Sequence, residues 1–482
     1  MDTVLLYINK LNLFLWSGPM LMLLCAAHLY FTYHTRFIQR HIGTAIRHSL
    51  GSAPEPGDPH SGASASNNLS KSVPASFSYR EHPKKRATNS LRTLTTTLAA
   101  TLGTGNIVGI STAVALGGPG AVFWCWLTGI FGMATTYAES FLGTRYQEIL
   151  PDNNRLSGPM VAFSKRLNKP FLSFLYSVCL LGAGLGMSAT TSAVLQKSGT
   201  ELHLFPRNSF FLLSVCGILT AVFIGFIING GGKMVSSLCM RLVPAMALFY
   251  FAACAVLLFL NRAALFPALS LITGSAFGLR PAGAGIFAGS VQLALRYGIA
   301  RGLFTNEAGL GSAAVAASDS TDSPQIQGLI SMSATFWDTV VMCGLTGLVI
   351  VSSALRGGFD PSALPAGELV HAAFDVLPFG RELLNLSLCA FAVATLIGWY
   401  YIAEKAATQL SLLCYKDGKH FVTALRLFYM LSIFLGFLLS LDLIFATSDL
   451  LNAVLTIPNL FLLFLLRKDI KPFRHQSSHN RN

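Results

Sequence analysis

The sequence predicts an all-α polytopic membrane protein of about eleven transmembrane helices, built as two five-helix repeats of opposite topology behind one accessory N-terminal helix. Three observations carry this. Hydrophobic residues make up 52% of the 482 and charged residues only 11%, with a mean hydropathy of +0.56. Apolar runs long enough to cross about 30 Å of hydrocarbon recur along the chain. Two of those runs are interrupted by glycine and polar residues, and they lie five spans apart.

The runs fall near residues 12–33, 92–116, 120–143, 170–194, 208–229, 242–261, 284–318, 326–352, 382–409, 421–440 and 448–466. The first lacks the short apolar region and small-residue cleavage site of a signal peptide and reads as a retained membrane helix. Lysine and arginine set the orientation. With the N-terminus outside, 24 of the 34 basic residues fall in cytoplasmic segments, seven fall on the other side, and Arg296, Arg301 and Arg426 fall within spans. The reading is therefore a membrane protein with its N-terminus outside and its C-terminus cytoplasmic. Because the basic residues sit between apolar segments, the net charge of +13 points to this asymmetry and not to nucleic acid. Residues 50–79 are rich in Ser, Pro, Gly and Asn and read as a flexible loop. The resulting division is 1–33 accessory helix, 34–91 basic cytoplasmic loop, 92–261 first repeat, 262–466 second repeat and 467–482 cytoplasmic tail.

The first interrupted run reads Leu98-Ala-Ala-Thr-Leu-Gly-Thr-Gly-Asn-Ile-Val-Gly109. Gly103 and Gly105 lower the cost of leaving helical geometry. Thr101, Thr104 and Asn106 supply polar side chains where lipid supplies none. Backbone groups freed in a bilayer cost several kcal/mol each unless protein, ligand or water satisfies them. A broken helix at that depth is therefore expected to line a site, and such breaks in pairs point to a secondary transporter. The second interrupted run is Arg301-Gly-Leu-Phe-Thr-Asn-Glu-Ala-Gly-Leu-Gly-Ser312. Phe304, Thr305 and Asn306 are expected to line the site. Arg301 and Glu307 are costly inside a span and either serve the site or neutralise each other. An odd repeat length forces the second half to start on the other side, hence the inversion. Half-helix N-termini then attract an anion such as a carboxylate, and unwound carbonyls attract a hard cation. A zwitterion plus sodium fits that layout.

In the ninth span, Thr395 and Trp399 are four residues apart and share a helix face. The hydroxyl can ligate sodium or bond a substrate, and the indole can close a small pocket or simply pack. Glu139 is expected near the cytoplasmic end of its helix, interfacial or paired. Asp338 is a candidate proton or ion relay, or the partner of an arginine. Asp442 and Asp449 read as solvated loop residues. Nine scattered cysteines form no CxxC pair and read as packing residues. There is no HExxH, no GxSxG and no paired intramembrane catalytic Asp or His, so an enzyme is not indicated and no cofactor is expected.

At these residues the chain resembles the sodium:alanine symporter family (alanine or glycine:cation symporters). The resemblance spans about residues 90–466 and rests on Gly103-Thr-Gly-Asn106, Ala115-Leu-Gly-Gly-Pro-Gly-Ala-Val-Phe-Trp124, Tyr137-Ala-Glu139, Gly158-Pro-Met160, Arg301 to Ser312, Gly398-Trp399 and Ile457-Pro-Asn-Leu460. It implies a leucine-transporter-type fold with an extra first helix. It implies that Gly103, Thr104 and Gly105 meet an amino-acid carboxylate, while Phe304, Asn306, Thr395 and Trp399 line the side-chain end. It also implies a sodium site at carbonyls near Ala99 and Leu102 with the Thr395 hydroxyl, and no other metal. The expected function is sodium-coupled uptake of a small neutral amino acid, alanine or glycine. The alternative is proton coupling on the same fold, with Asp338 or Glu307 titrating. Two departures stand out. The family's Gly-Asn-Met-x-Gln-x-Asn run reads Gly184-Leu-Gly-Met-Ser-Ala-Thr-Thr-Ser192 here, and its Thr-Thr pair reads Ala394-Thr395.

Overall fold

The computed structural model describes residues 2–51, 83–151, 153–206, 209–279, 290–357, 359–414, 419–439 and 441–473. The flexible-loop expectation for residues 50–79 lies outside them from residue 52 onward. Helices α1 (Asp2–Ser17) and α2 (Pro19–His34) form the first crossing, and Pro19 opens α2 where a missing N–H costs nothing. After α3 (Ile42–Ser49) comes a broken crossing. It consists of α4 (Pro83–Thr101), a π-helical turn at Gly105–Gly109 and α5 (Ile110–Gly117), with its halves bent by 53°.

α6 (Gly120–Arg145) crosses back to a two-residue hairpin, β1 (Glu148–Ile149) antiparallel to β2 (Arg155–Leu156), and the short α7 (Pro159–Lys165). Then come α8 (Pro170–Glu201), α9 (Phe210–Asn229), α10 (Gly231–Leu260) and α11 (Arg262–Ala276). The second half opens with another broken element, α12 (Val291–Asn306) and α13 (Ser312–Ala316). It continues through α14 (Pro324–Thr335), a π-helical stretch at Phe336–Cys343, α15 (Gly344–Leu355), α16 (Leu369–Phe374), α17 (Gly380–Cys414), α18 (Lys419–Leu438) and α19 (Leu441–Leu465).

Among the described residues nine helices are long and apolar enough to span a membrane, or ten with the bent pair. Of the eleven expected spans, the missing one is the seventh. It fails on length because Glu307 takes a left-handed conformation (φ 52°) directly after Asn306 and stops α12. The sequence reading also left residues 262–276 in a loop, whereas they form α11, which lies against α6 and α15.

α12 and α14 pack on α6, while α17, α18 and α19 pack on α8. The two groups meet at α4, which packs against α14 of the first and α17 of the second. Ion pairs gather toward the two ends of the bundle. At the end reached by α7 and the last turn of α17, Lys405 Nζ donates to Asp319 Oδ1 and to the Arg155 carbonyl, both at 2.9 Å. Arg155 in turn donates to the Ser320 carbonyl (2.8 Å), tying the hairpin to the loop after α13. At this same end Tyr146 Oη donates to Asp469 Oδ2 (2.6 Å), which holds that carboxyl below its ordinary pKa. At the far end Lys197 pairs with Glu368 (3.0 Å) and Arg381 with Asp375 (2.7 Å).

Candidate functional site

Built from the backbone upward, the site begins where α4 stops. In a continuous helix the Gly103 N–H would donate to the Ala99 carbonyl. Here it donates to Asn106 Oδ1 (3.0 Å), and the Asn106 N–H goes to the Gly103 carbonyl (3.3 Å) instead of Leu102. The Ala99 and Leu102 carbonyls thereby lose their helical donors. The N–H groups of Thr104 and Gly105 enter none of the hydrogen bonds that frame the break. Asn106 is fully buried, and its amide also donates to Asp338 Oδ1 (2.7 Å) and the Asp338 carbonyl (3.1 Å). Asp338 sits in the π-helical stretch of the eighth span, where Thr339 donates to its other oxygen (2.7 Å). No arginine pairs with it among the described residues. Its place is that of an anchor for the first break.

α17 comes close beside that break. A Cβ on Gly398 would lie 2.7 Å from the Ala100 nitrogen and 2.8 Å from the Ala99 carbonyl carbon, so only glycine permits this approach. One turn earlier Thr395 is buried, and its Oγ1 has no hydrogen-bond partner. A Cβ on Gly103 would lie 3.1 Å from that oxygen. A buried hydroxyl without a partner is costly, and this one lies beside Gly103, the first residue of the break.

The second break is held from outside. Glu139 Oε1 accepts from the Gly309 N–H (2.8 Å), the Gly311 N–H (3.1 Å) and Asn459 Nδ2 (2.7 Å). Asn459 also donates to the Gly309 carbonyl (2.7 Å), and Tyr176 donates to the Leu310 carbonyl (2.7 Å). Gly309 and Gly311 have φ of 106° and 80°, a region open mainly to glycine. Glu139 is thus buried at 2% exposure and paired with the break, not interfacial. Glu307 accepts from Ser312 Oγ (2.7 Å), whereas the Arg301 guanidinium lies 5.9 Å from the Phe304 ring centre. Of the two alternatives for Arg301 and Glu307, the mutual pair does not form among the described residues.

Between the breaks lies a cavity of about 260 Å³, near the lower end of the range for small-molecule sites. It is lined by Thr101, Gly103, Thr104, Gly105, Asn106, Phe304, Thr305 and Thr395, all anticipated from the sequence. The other anticipated residues stay off its surface. Ala99 and Leu102 lie behind it, their side chains in the core. Asn306 turns its Oδ1 to the Ala308 N–H (2.9 Å). Trp399 is fully buried and packs against α8 at Gly184, so it does not cap the cavity in this conformation.

Several lining residues went unanticipated. Met187, Thr190, Thr191 and Val194 present one face of α8 at helical spacing. That spacing was visible in the sequence, but nothing in an apolar helix says which face meets a cavity. Asp449 also lines the walls, together with Arg301 and Glu307, for which serving the site was one of two expected roles. Asp449 is not in a solvated loop; it lies inside α19 with Oδ1 buried and unpartnered. The cavity extends past Val108, Gly109 and Thr112 toward the far end. The Lys405–Asp319 contacts lie at the other.

A model of the sodium:alanine symporter family matches residues 1–480. The chain belongs to the sodium:alanine symporter family. A sodium/alanine symporter, AgcS, from Methanococcus maripaludis is 34% identical over 97% of this chain and 95% of that protein. A probable sodium/glutamine symporter, GlnT, from Bacillus subtilis is 31% identical over 95% of this chain and 87% of that protein. A putative sodium/proton-dependent alanine carrier, YrbD, from the same species is 28% identical over 96% and 90%. In three dimensions the chain is similar to MhsT, whose crystal structure is in complex with L-phenylalanine. That match has a TM-score of 0.55 and 18% identity, and it covers 78% of this chain and 88% of that one. This symporter family member is a multi-pass membrane transport protein, and its fold is of the leucine-transporter type.

Proposed function

We propose that the protein couples sodium entry to uptake of a small neutral amino acid, with alanine or glycine the first candidates. One observation carries the reading. The break at Gly103–Asn106 leaves the Ala99 and Leu102 carbonyls without helical donors, and the unpartnered Thr395 Oγ1 lies beside Gly103 in the same break. Sodium is a hard cation that takes oxygen ligands: the Thr395 hydroxyl lines the cavity, and the two carbonyls would meet the ion from behind its wall. Across the same break the Thr104 and Gly105 N–H groups suit a carboxylate, with the α5 dipole behind them. Phe304, Thr305 and the α8 face at Met187, Thr190 and Thr191 would surround the side chain. With Ala at 394, a second hydroxyl is missing from the ion's surroundings.

The cycle is alternating access. Ion and substrate enter from the far end, where the cavity leads. Each raises the other's affinity by the same factor, and together they favour the state in which the Lys405–Asp319 end opens. The excess of basic residues in the segments at that end supports placing it in the cytoplasm of a bacterial cell.

Counterflow in proteoliposomes with a panel of labelled amino acids tests the substrate. Exchange of alanine or glycine in preference to larger or charged amino acids supports the reading. No exchange of any neutral amino acid contradicts it.

A further inference from the structure

The accessory N-terminal crossing lies outside both repeats, yet it touches the two elements that build one side of the cavity. Trp16 Nε1 donates to the Asp449 carbonyl (3.2 Å), and Asn12 Nδ2 donates to the Ala446 carbonyl (2.6 Å), both on α19. Leu24 on α2 packs directly against Gly309 of the second break, where a side chain could not be accommodated. One turn further, a hydrogen bond of 2.7 Å joins His28 Nδ1 and Thr135 Oγ1 and fixes α2 to α6, the helix that carries Glu139. A second small void lies between these parts, lined by Trp16, Leu24, Phe304 and Asn452 among others. Phe304 therefore forms a wall between this void and the main cavity.

We propose that Trp16 and Leu24 are positioning residues: the N-terminal crossing is a strut that fixes Asp449 and the second break, and through them the cavity wall at Phe304. The physical case is that neither wall element is held there by its own repeat alone. Residues 307–311 carry no helix, and α19 bears Pro458, whose missing N–H leaves its ladder one bond short. The α1 and α2 contacts at Ala446, Asp449 and Gly309 add support to both elements from outside the repeats. Neither residue lines the main cavity, so each acts through Asp449 or Phe304.

This inference rests on the reading of the cavity as the substrate site, so the test has two arms. Full-length Trp16→Phe keeps the ring and loses the N–H donor, and Leu24→Ala loses the packing. In proteoliposomes each should raise the half-saturating substrate concentration by about threefold to tenfold while the maximal rate per folded protein stays within about twofold, the signature of lost binding and intact turnover. Independently of any substrate, hydrogen exchange should rise several-fold for amides of residues 303–311 in Leu24→Ala and 446–452 in Trp16→Phe, and stay at the parent level in residues 324–335. Parent-like exchange in both segments overturns the strut, whatever the uptake. So does a loss of uptake that only tracks the amount of folded protein. A parent chain that moves no amino acid sinks the substrate reading alone, and the exchange arm still decides the strut.

Discussion

Asn106 Nδ2 lies 2.7 Å from Asp338 Oδ1, the shortest of the hydrogen bonds by which this amide joins the first broken helix to the π-helical stretch of the eighth span. The same amide's oxygen holds the Gly103 N–H. The geometry of the break is therefore fixed from α14–α15 through Asp338.

The anchor and proton-relay readings of Asp338 separate by substitution. Asp338→Asn keeps an acceptor for Asn106 and should retain uptake within several-fold of the parent. Asp338→Leu removes the shorter of the amide's bonds to residue 338 and leaves it only the backbone carbonyl and Cys343 Sγ, a loss of about 1–3 kcal/mol, and should lower uptake at least about tenfold at equal expression. Abolition by Asp338→Asn, with proton-driven uptake in the parent, would favour the relay.

Thr395→Val preserves shape and removes the unpartnered oxygen. The variant should lose most sodium stimulation, while Ala394→Thr, which adds an oxygen one residue away, should lower the sodium concentration for half-maximal uptake. Sodium titration of uptake at fixed substrate reads both. Thr395 also lines the cavity, so substrate binding is measured separately.

Gly105→Leu should abolish uptake and leave the protein folded in the membrane. An added Cβ meets Thr305 and Phe304 at ordinary contact distances of 3.6 and 3.9 Å, so alanine fits, but the rest of a leucine must occupy the cavity. Gly398→Ala should be worse for stability than Gly105→Ala, because its Cβ would meet backbone at 2.7 Å. Thermal inactivation in detergent compares the two.

Lys405 and Asp319 close the end opposite the cavity mouth, 2.9 Å apart. Breaking the pair should depopulate the conformer with its cavity toward the far end and raise the apparent Km from that side in proportion. Lys405→Ala should raise it several-fold, and the exchange Lys405→Asp with Asp319→Lys should recover part of the loss. No recovery in the swapped protein would argue against the pair as a latch.

Orientation is checked by tags. With 24 basic residues on one side and seven on the other, a tag after Asn482 should report cytoplasmic and one before Met1 external. Tags on the same side contradict an odd number of crossings.

What was legible in the sequence follows from where the physics is local. Both breaks could be read, because glycines and polar residues inside apolar runs have few other uses. Gly103–Asn106 and Phe304–Asn306 were found that way. Contacts between distant elements could not be read. Glu139 lay near the end of its span, and only folding brings Gly309, Gly311 and Asn459 to its one oxygen. Asp449 stood close to a turn in an uncertain boundary, and α19 carries it into the cavity wall. Trp399 shares the Thr395 face by spacing, yet an indole is long enough to reach α8 at Gly184 instead. The Arg301–Glu307 pair is absent because six residues separate them, which is not a helical neighbour spacing, and the left-handed turn at Glu307 (φ 52°) gives its carboxylate to Ser312 instead.

The central claim is that the oxygens freed at the first break bind the coupling ion. Its most direct test is uptake of labelled alanine and glycine into proteoliposomes at fixed, equal pH on both sides, with and without an inward sodium gradient, for the parent and Thr395→Val. The account predicts accumulation that requires the sodium gradient in the parent and is lost in Thr395→Val. Uptake indifferent to sodium and driven by a pH gradient would contradict it.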